Sequence, residues 1–278
     1  MKKTTYIMIG AIVGGFIAVL SLSRWYLKHR PVYEFDRWNY EAPSNIPLTT
    51  IGGEMTKTPL GTFGAIRFTD IPADVKIANY KGLAVCESDT ATRPWLMTRA
   101  QWQPLIEKTV SDDTLTVSIN RPAIADLYGT RVQTEDFILA TVIVPRGKVG
   151  SVSAKSHTLY LDSVRARQFT VFAPDRLVLN VCTIGSLRNY ADKINELKLD
   201  ASAVDTARLY RVGKRFTVTC TTPESAIGTL LIDGVSEGKN ATLKLKKANL
   251  GTLIWNPDDH ITDVTLETAT PINYIRKK

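Results

Sequence analysis

Short apolar pairs recur through the last half of this chain in two interleaved series, and that recurrence restricts the fold more than any motif. One series begins at Val142, Leu159, Leu177, Leu197 and Phe216, in steps of 17 to 20 residues. The second falls between them at Val152, Phe169, Leu187, Leu209, Leu230 and Leu253. Steps of this size are those of stacked repeat units. Within a pair the apolar residues alternate with polar ones, as in Leu159-x-Leu161 and Leu177-x-Leu179-x-Val181, so they share one face of an extended strand. The pattern predicts an all-β fold, a single-stranded β-solenoid (β-helix) with two strands per coil. A β-sandwich also repeats short strands, about every 8–12 residues, but the regularity of both series favours the solenoid. The step from Phe216 to Leu243 is too long for one coil and predicts that residues 236–240 loop out.

Before the coils the strand signals are less regular. Val75-x-Ile77, Leu83-x-Val85 and Leu115-x-Val117-x-Ile119 each follow turn-forming residues, the last after Ser111-Asp112-Asp113. A polar insertion, Glu87 to Gln103, holds Trp95 and Trp102 and reads as a loop or short helix. Residues 31–62 carry Pro31, Pro43, Pro47 and Pro59 with Gly52, Gly53 and Gly61, the composition of a spacer. The aromatic group Tyr33, Phe35, Trp38 and Tyr40 lies within it.

The N-terminus is different again. Tyr6 to Leu22 carries no charge, is preceded by Lys2 and Lys3, and is followed by Arg24, Trp25, Tyr26, Lys28 and Arg30. An uncharged run of this length, flanked by basic and aromatic residues, predicts one transmembrane helix over residues 6–23. The competing reading is a signal peptide cleaved after Ser21-Leu22-Ser23. The expected organisation is an anchor with its flanks over 1–30, a spacer over 31–62 and a β-solenoid domain over 63–275. The short Met-Lys-Lys start predicts export of the body to the periplasm or cell envelope.

Charge narrows the partners. The chain of 278 residues has a formal net charge of +8. Residues 1–30 hold five of the basic residues and no acid, and Arg276, Lys277 and Lys278 hold three more. The body between them balances 27 basic against 27 acidic residues. A nucleic-acid binder concentrates basic charge on its folded domain, so no nucleic-acid partner is expected.

Several stretches together resemble a known family. They are Phe63 with Ile71-Pro72-Ala73-Asp74-Val75-Lys76-Ile77, Asp113-Thr114-Leu115-Thr116-Val117, Val142-Ile143-Val144-Pro145, and Leu197-Lys198-Leu199-Asp200-Ala201-Ser202. From about Phe63 to Thr270 the chain is similar to the auto-transporter adhesin head domain, also called GIN, a family of unknown function. That family often carries Ser-Gly at the corners of its coils, where this chain has Ala201-Ser202 and Thr221-Thr222. The resemblance implies a β-helical envelope protein and supplies no catalytic residues.

Few residues point to chemistry. His29, His157 and His260 lack metal-ligand spacing. Pro257-Asp258-Asp259-His260 with Asp263 is the densest polar cluster, and a turn explains it. Cys86, Cys182 and Cys220 form no Cys-x-x-Cys, and the last two stand about two coils apart, too far for a disulfide. Buried thiols are expected. No Gly-x-Ser-x-Gly occurs, and Gly234 to Lys239 lacks the spacing of a phosphate loop. No catalytic, cofactor or metal residue is assigned, and no cofactor is expected. The leading expectation is a membrane-anchored, non-catalytic solenoid that offers its flank to a protein or glycan. The alternatives are a carbohydrate-active enzyme using Asp192, Asp200, Asp205 or Asp233, and a structural envelope component.

Overall fold

The computed structural model describes residues 49–69, 76–129, 131–136, 138–155, 157–190, 193–236, 240–247, 249–256, 261, 263–268 and 272–276. The membrane span expected at 6–23, most of the spacer, His29 and the cluster at 257–260 lie outside them. No helix among the described residues is long and apolar enough to cross a membrane.

The chain is all-β. Its first strands are β1 (Thr49–Ile51), β2 (Met55–Pro59), β3 (Ala65–Phe68), β4 (Lys76–Ala78), β5 (Gly82–Ser88), β6 (Trp95–Arg99), β7 (Ile106–Ser111) and β8 (Thr114–Ile119). One helix, α1 (Arg121–Tyr128), separates these from β9 (Arg131–Thr134) and β10 (Ile138–Pro145). The regular part runs through β11 (Ser151–Ala154), β12 (Thr158–Asp162), β13 (Arg165–Phe172), β14 (Arg176–Asn180), β15 (Thr183–Tyr190), β16 (Ile194–Asp200) and β17 (Ala203–Leu209). It continues through β18 (Val212–Cys220), β19 (Ala226–Asp233), β20 (Asn240–Lys246), β21 (Leu250–Asn256), β22 (Asp263–Thr268) and β23 (Asn273–Arg276).

From β11 onward the chain alternates between two ten-stranded sheets, and each strand pairs in parallel with the strand two places on. The first sheet has the order β2-β6-β10-β5-β12-β14-β16-β18-β20-β22, the second β23-β21-β19-β17-β15-β13-β11-β3-β8-β7. In-register parallel pairing stacks equivalent residues into columns. Leu83, Leu159, Leu177, Leu197, Val218 and Leu245 form one buried column of the first sheet. Val142, Val85, Leu161, Leu179, Leu199 and Cys220 form another. On the second sheet the buried columns are Phe169, Leu187, Ala207, Leu230 and Leu253, and Leu115, Ile66, Val152, Val171, Asn189, Leu209, Ile232 and Trp255. These four columns belong to one continuous apolar core.

The structure corrects the sequence reading in three places. Val181 does not share the inner face of Leu177 and Leu179: β14 ends at Asn180, and Val181 is exposed at a left-handed corner. Val142 does not stack on Leu159, because β5 lies between β10 and β12. Leu209 continues the Val152 and Val171 column, not that of Leu187, which passes to Ala207. A period of two residues places both Leu209 and Ala207 on the inner face and does not choose between them. Phe216 pairs with Leu243 directly, despite the long step between them.

The early segments also depart from expectation. Residues 49–59, read as spacer, contain β1 and β2. The insertion from Glu87 to Gln103, read as loop or short helix, contributes the end of β5 and the antiparallel strand β6 between β2 and β10. The N-terminal ends of both sheets are closed by antiparallel strands: β6 and β2 on one, the β7–β8 hairpin on the other. That hairpin turns at Asp112 and Asp113, both at positive φ, as a two-residue hairpin loop requires. A third, parallel sheet of β1, β9 and β4 lies in the same section. Helix α1 was not anticipated. Asn120 caps it by accepting from the Ala123 N–H at 3.0 Å, Pro122 sits in its first turn, and Gly129 at φ +79° ends it.

Several corners that follow strands use left-handed residues: Ser163, Ala173, Val181, Ala201 and Lys247, with φ between 45° and 59°. None is glycine, which is why composition does not mark them. Polar partners hold the corners in line. Asn180 Nδ2 donates to Asp162 Oδ1 at 3.1 Å, and Thr221 Oγ1 donates to Asp200 Oδ1 at 2.7 Å.

Candidate functional site

Strand alternation places the last residues of β13 and β15 outward, since Val171 and Asn189 before them point into the core. Phe172 and Tyr190 are register partners on these neighbouring strands. Tyr210 follows Leu209 at the end of β17, and its N–H donates to Asn189 O at 3.1 Å, which sets it beside Tyr190. Adjacent strands lie about 4.8 Å apart, close to the spacing at which aromatic rings attract. The three rings therefore stack. Phe172 and Tyr190 have centroids 5.7 Å apart with planes at 20°, and Tyr190 and Tyr210 4.3 Å apart at 15°.

Charge and hydrogen bonding finish the ladder. Arg208 lies over the Tyr210 ring, its Cζ 4.8 Å from the centroid, and its Nε donates to Asp233 Oδ2 at 2.8 Å. Tyr210 Oη donates to Tyr190 Oη at 3.3 Å. This bond lowers the Tyr190 hydroxyl's pKa, with Arg188 and Arg208 adding to the effect, and raises that of Tyr210. Next to the ladder runs an outward column of Thr170, Arg188, Arg208, Leu231, Ile254 and Ile275. Its upper half is cationic and its lower half aliphatic, with Ile275 exposed. The ladder and the aliphatic half together make an apolar stripe along the outer face of the second sheet, interrupted by arginine. The facing sides of the rings cover one another and Arg208 lies over Tyr210, while Phe172 and Tyr190 stay exposed.

The residues considered from sequence lie elsewhere. His157 is buried; its Nε2 donates to Thr69 O at 2.9 Å, which leaves Nδ1 to accept from Tyr80 Oη at 2.6 Å. Burial of the Tyr80 hydroxyl raises its pKa. This trio ties the ends of β3 and the approach to β5 to the start of β12, beside a cavity of about 10 Å³ lined by Phe68, Leu83 and Leu139 among others. That volume holds at most one water. Asp205 and Asp233 sit towards opposite ends of the second sheet's strands. Five residues separate their positions, about 16 Å, well beyond the separation of a glycosidase carboxylate pair. Asp200 is engaged at a corner with Thr221, and Asp192 lies outside the described residues. Among the described residues no group of three or more His, Cys, Asp or Glu could hold a metal ion.

All three thiols are free, Cys182 and Cys220 buried and Cys86 partly so. Burial pushes the Cys182 thiol up to about 11. Sequence reasoning missed Glu87, whose buried carboxylate accepts from the Gly147 and Arg165 N–H groups at 3.1 and 2.8 Å. It also missed the aromatic ladder. The spacings from Phe172 to Tyr190 and on to Tyr210, 18 and 20 residues, are those of the apolar pairs and carried the signal.

No family model and no curated protein matches this chain. Among solved structures it is similar to a candidate adhesin from Bacteroides fragilis, at 10% identity over 82% of this chain and 97% of that one, with a TM-score of 0.45. It is also similar to a candidate adhesin from Parabacteroides merdae, at 13% identity over 82% and 99%, TM-score 0.39. A candidate lipid-binding protein from Parabacteroides distasonis follows at 9% identity over 82% and 100%, TM-score 0.41. At these scores the fold and the function rest on the chain's own geometry.

Proposed function

We propose that this chain is a non-catalytic β-solenoid of the GIN type that binds a protein partner along the outer face of its second sheet. In this reading residues 6–23 hold it at the membrane and the body lies in the bacterial cell envelope. The parallel pairing of strands two places apart supports the solenoid. The observation that carries the binding role is the stack of Phe172, Tyr190 and Tyr210 with Arg208. Tyrosine and arginine are the residues most enriched where interfaces gain their energy. Phe172, Tyr190 and Ile275 are exposed and Tyr210, Leu231 and Ile254 half-buried, and an apolar patch rimmed by polar residues marks an interaction surface.

Site-specific photo-crosslinking in the native cell tests it. A photoreactive phenylalanine analogue replaces Tyr190 in one variant and Lys198, on the outer face of the first sheet, in another. A discrete protein adduct from position 190 and none from 198 is expected. No adduct from 190, or the same adducts from both, would overturn the assignment.

A further inference from the structure

The second sheet's central strands have a charge that the ladder's apolar character does not require. Strands β13, β15, β17 and β19 carry Arg165, Arg167, Arg188 and Arg208 against two acids, Asp205 and Asp233. Arg188 and Arg208 are register partners on adjacent strands. Like charges placed opposite one another across a sheet are destabilising. Arg208 has Asp233 to offset it. Arg165, Arg167 and Arg188 have no carboxylate partner among the described residues, and all three are exposed. Arginine offers a planar fork that fits carboxylates in bidentate fashion.

Building on the proposed binding role, we infer that the partner presents an acidic, apolar-containing polypeptide segment, whose carboxylates meet Arg188 and Arg167 while its apolar side chains lie on the ladder and on Leu231 and Ile254. A second copy of this face fits less well, since four arginines against two acids leave both faces net positive. An anionic glycan suits the geometry less well. Tyr190 is stacked between Phe172 and Tyr210, which leaves the ladder few ring faces for a sugar, and the aliphatic column gives a glycan nothing to pair with.

The test uses the full chain and three labelled probes followed by fluorescence anisotropy. One is a glutamate-rich peptide with interspersed leucines. The second is the same peptide with lysine for glutamate, and the third is oligogalacturonate. The glutamate peptide is expected to bind and the lysine peptide not to. Arg188→Glu and Arg167→Glu should each weaken binding by about tenfold or more with an unchanged melting curve. Lys198→Glu should leave it within about twofold. Raising the salt should weaken binding, as exposed charges are screened. Equal or tighter binding of oligogalacturonate, an equal loss in Lys198→Glu, or no binding of the glutamate peptide would each overturn the inference. If the Tyr190 crosslink persists while the peptide fails, the partner's chemistry is wrong and the binding face stands. If both fail, the face itself is wrong.

Discussion

Leu199 tests the register of this architecture at a single position. It is fully buried in the first sheet, with Leu179 and Cys220 as its neighbours in the column. Leucine-to-alanine changes in cores cost about 2–5 kcal/mol, more where the surroundings cannot close in. Here both neighbouring strands are fixed by their own parallel ladders, so closure is limited and Leu199→Ala should cost about 3–5 kcal/mol. Leu199→Asp adds a buried charge with no partner, a further penalty of about 3–5 kcal/mol. The sum approaches the whole stability of an ordinary domain, about 5–15 kcal/mol, so this variant should be largely unfolded. Lys198, one residue earlier, points outward, and Lys198→Ala should stay within about 0.5 kcal/mol of the parent. Urea denaturation followed by far-ultraviolet circular dichroism reads all three. A Leu199→Ala midpoint equal to that of Lys198→Ala would refute the register, because only the alternation of the strand separates the two positions.

Three further outcomes follow from single contacts. The Arg99 guanidinium, bonded to Asp136, holds that carboxyl below the usual aspartate range. The stability this gives is present above the ordinary aspartate pKa and is lost as pH falls through the lowered value. Melting curves of Asp136→Asn against pH should lack that acid-side decline, and a profile parallel to the parent's would count against the contact. Tyr80→Phe removes the hydroxyl that bonds the buried His157 Nδ1 and should lower stability by about 1 kcal/mol, read by the same urea titration; an unchanged midpoint would show that the trio does not staple the early strands to β12. Val181 is a β-branched residue at φ +53°, a conformation that costs an L-residue about 1–2 kcal/mol. Glycine removes that cost but gives back about 0.5–1 kcal/mol through the freer unfolded chain. Val181→Gly should therefore raise the melting temperature slightly, and a clear loss would mean that the corner is not left-handed.

The regular parallel strands were legible in the chain because they repeat at short range. Leu159, Leu177 and Leu197, and Leu161, Leu179 and Leu199, stack as their spacing predicts. What stayed hidden is held by long-range pairing. Strands β3 and β5 insert beside β11 and β12 across 86 and 76 residues, counted from Ala65 to Ser151 and from Leu83 to Leu159, and such neighbours leave no period to read. The corners stayed hidden because Val181 and Ala201 occupy left-handed positions where glycine would have announced a turn. Asn189 is a different case. It is fully buried in a column of Val171 and Leu209, and neither amide atom has a protein partner. Its residue type reads as surface while its position is core. The ladder was within reach, since Phe172, Tyr190 and Tyr210 keep the spacing of the apolar pairs. Aromatic residues at that spacing read equally well as core until the strand's phase shows them facing outward.

Everything proposed about the binding face depends on one register: Thr170 beside Arg188, which brings Phe172 onto Tyr190. Paired cysteines measure it directly. Thr170→Cys with Arg188→Cys joins outward positions on adjacent strands, about 4.8 Å apart and within the reach of a disulfide. Thr170→Cys with Arg208→Cys spans two strand spacings, about 9.6 Å, and lies beyond it. Under mild oxidation, mass spectrometry of the folded protein should find the 170–188 bridge in high yield and no 170–208 bridge. The absence of the first, or equal yields of both, would contradict the parallel stack and remove the ladder with it.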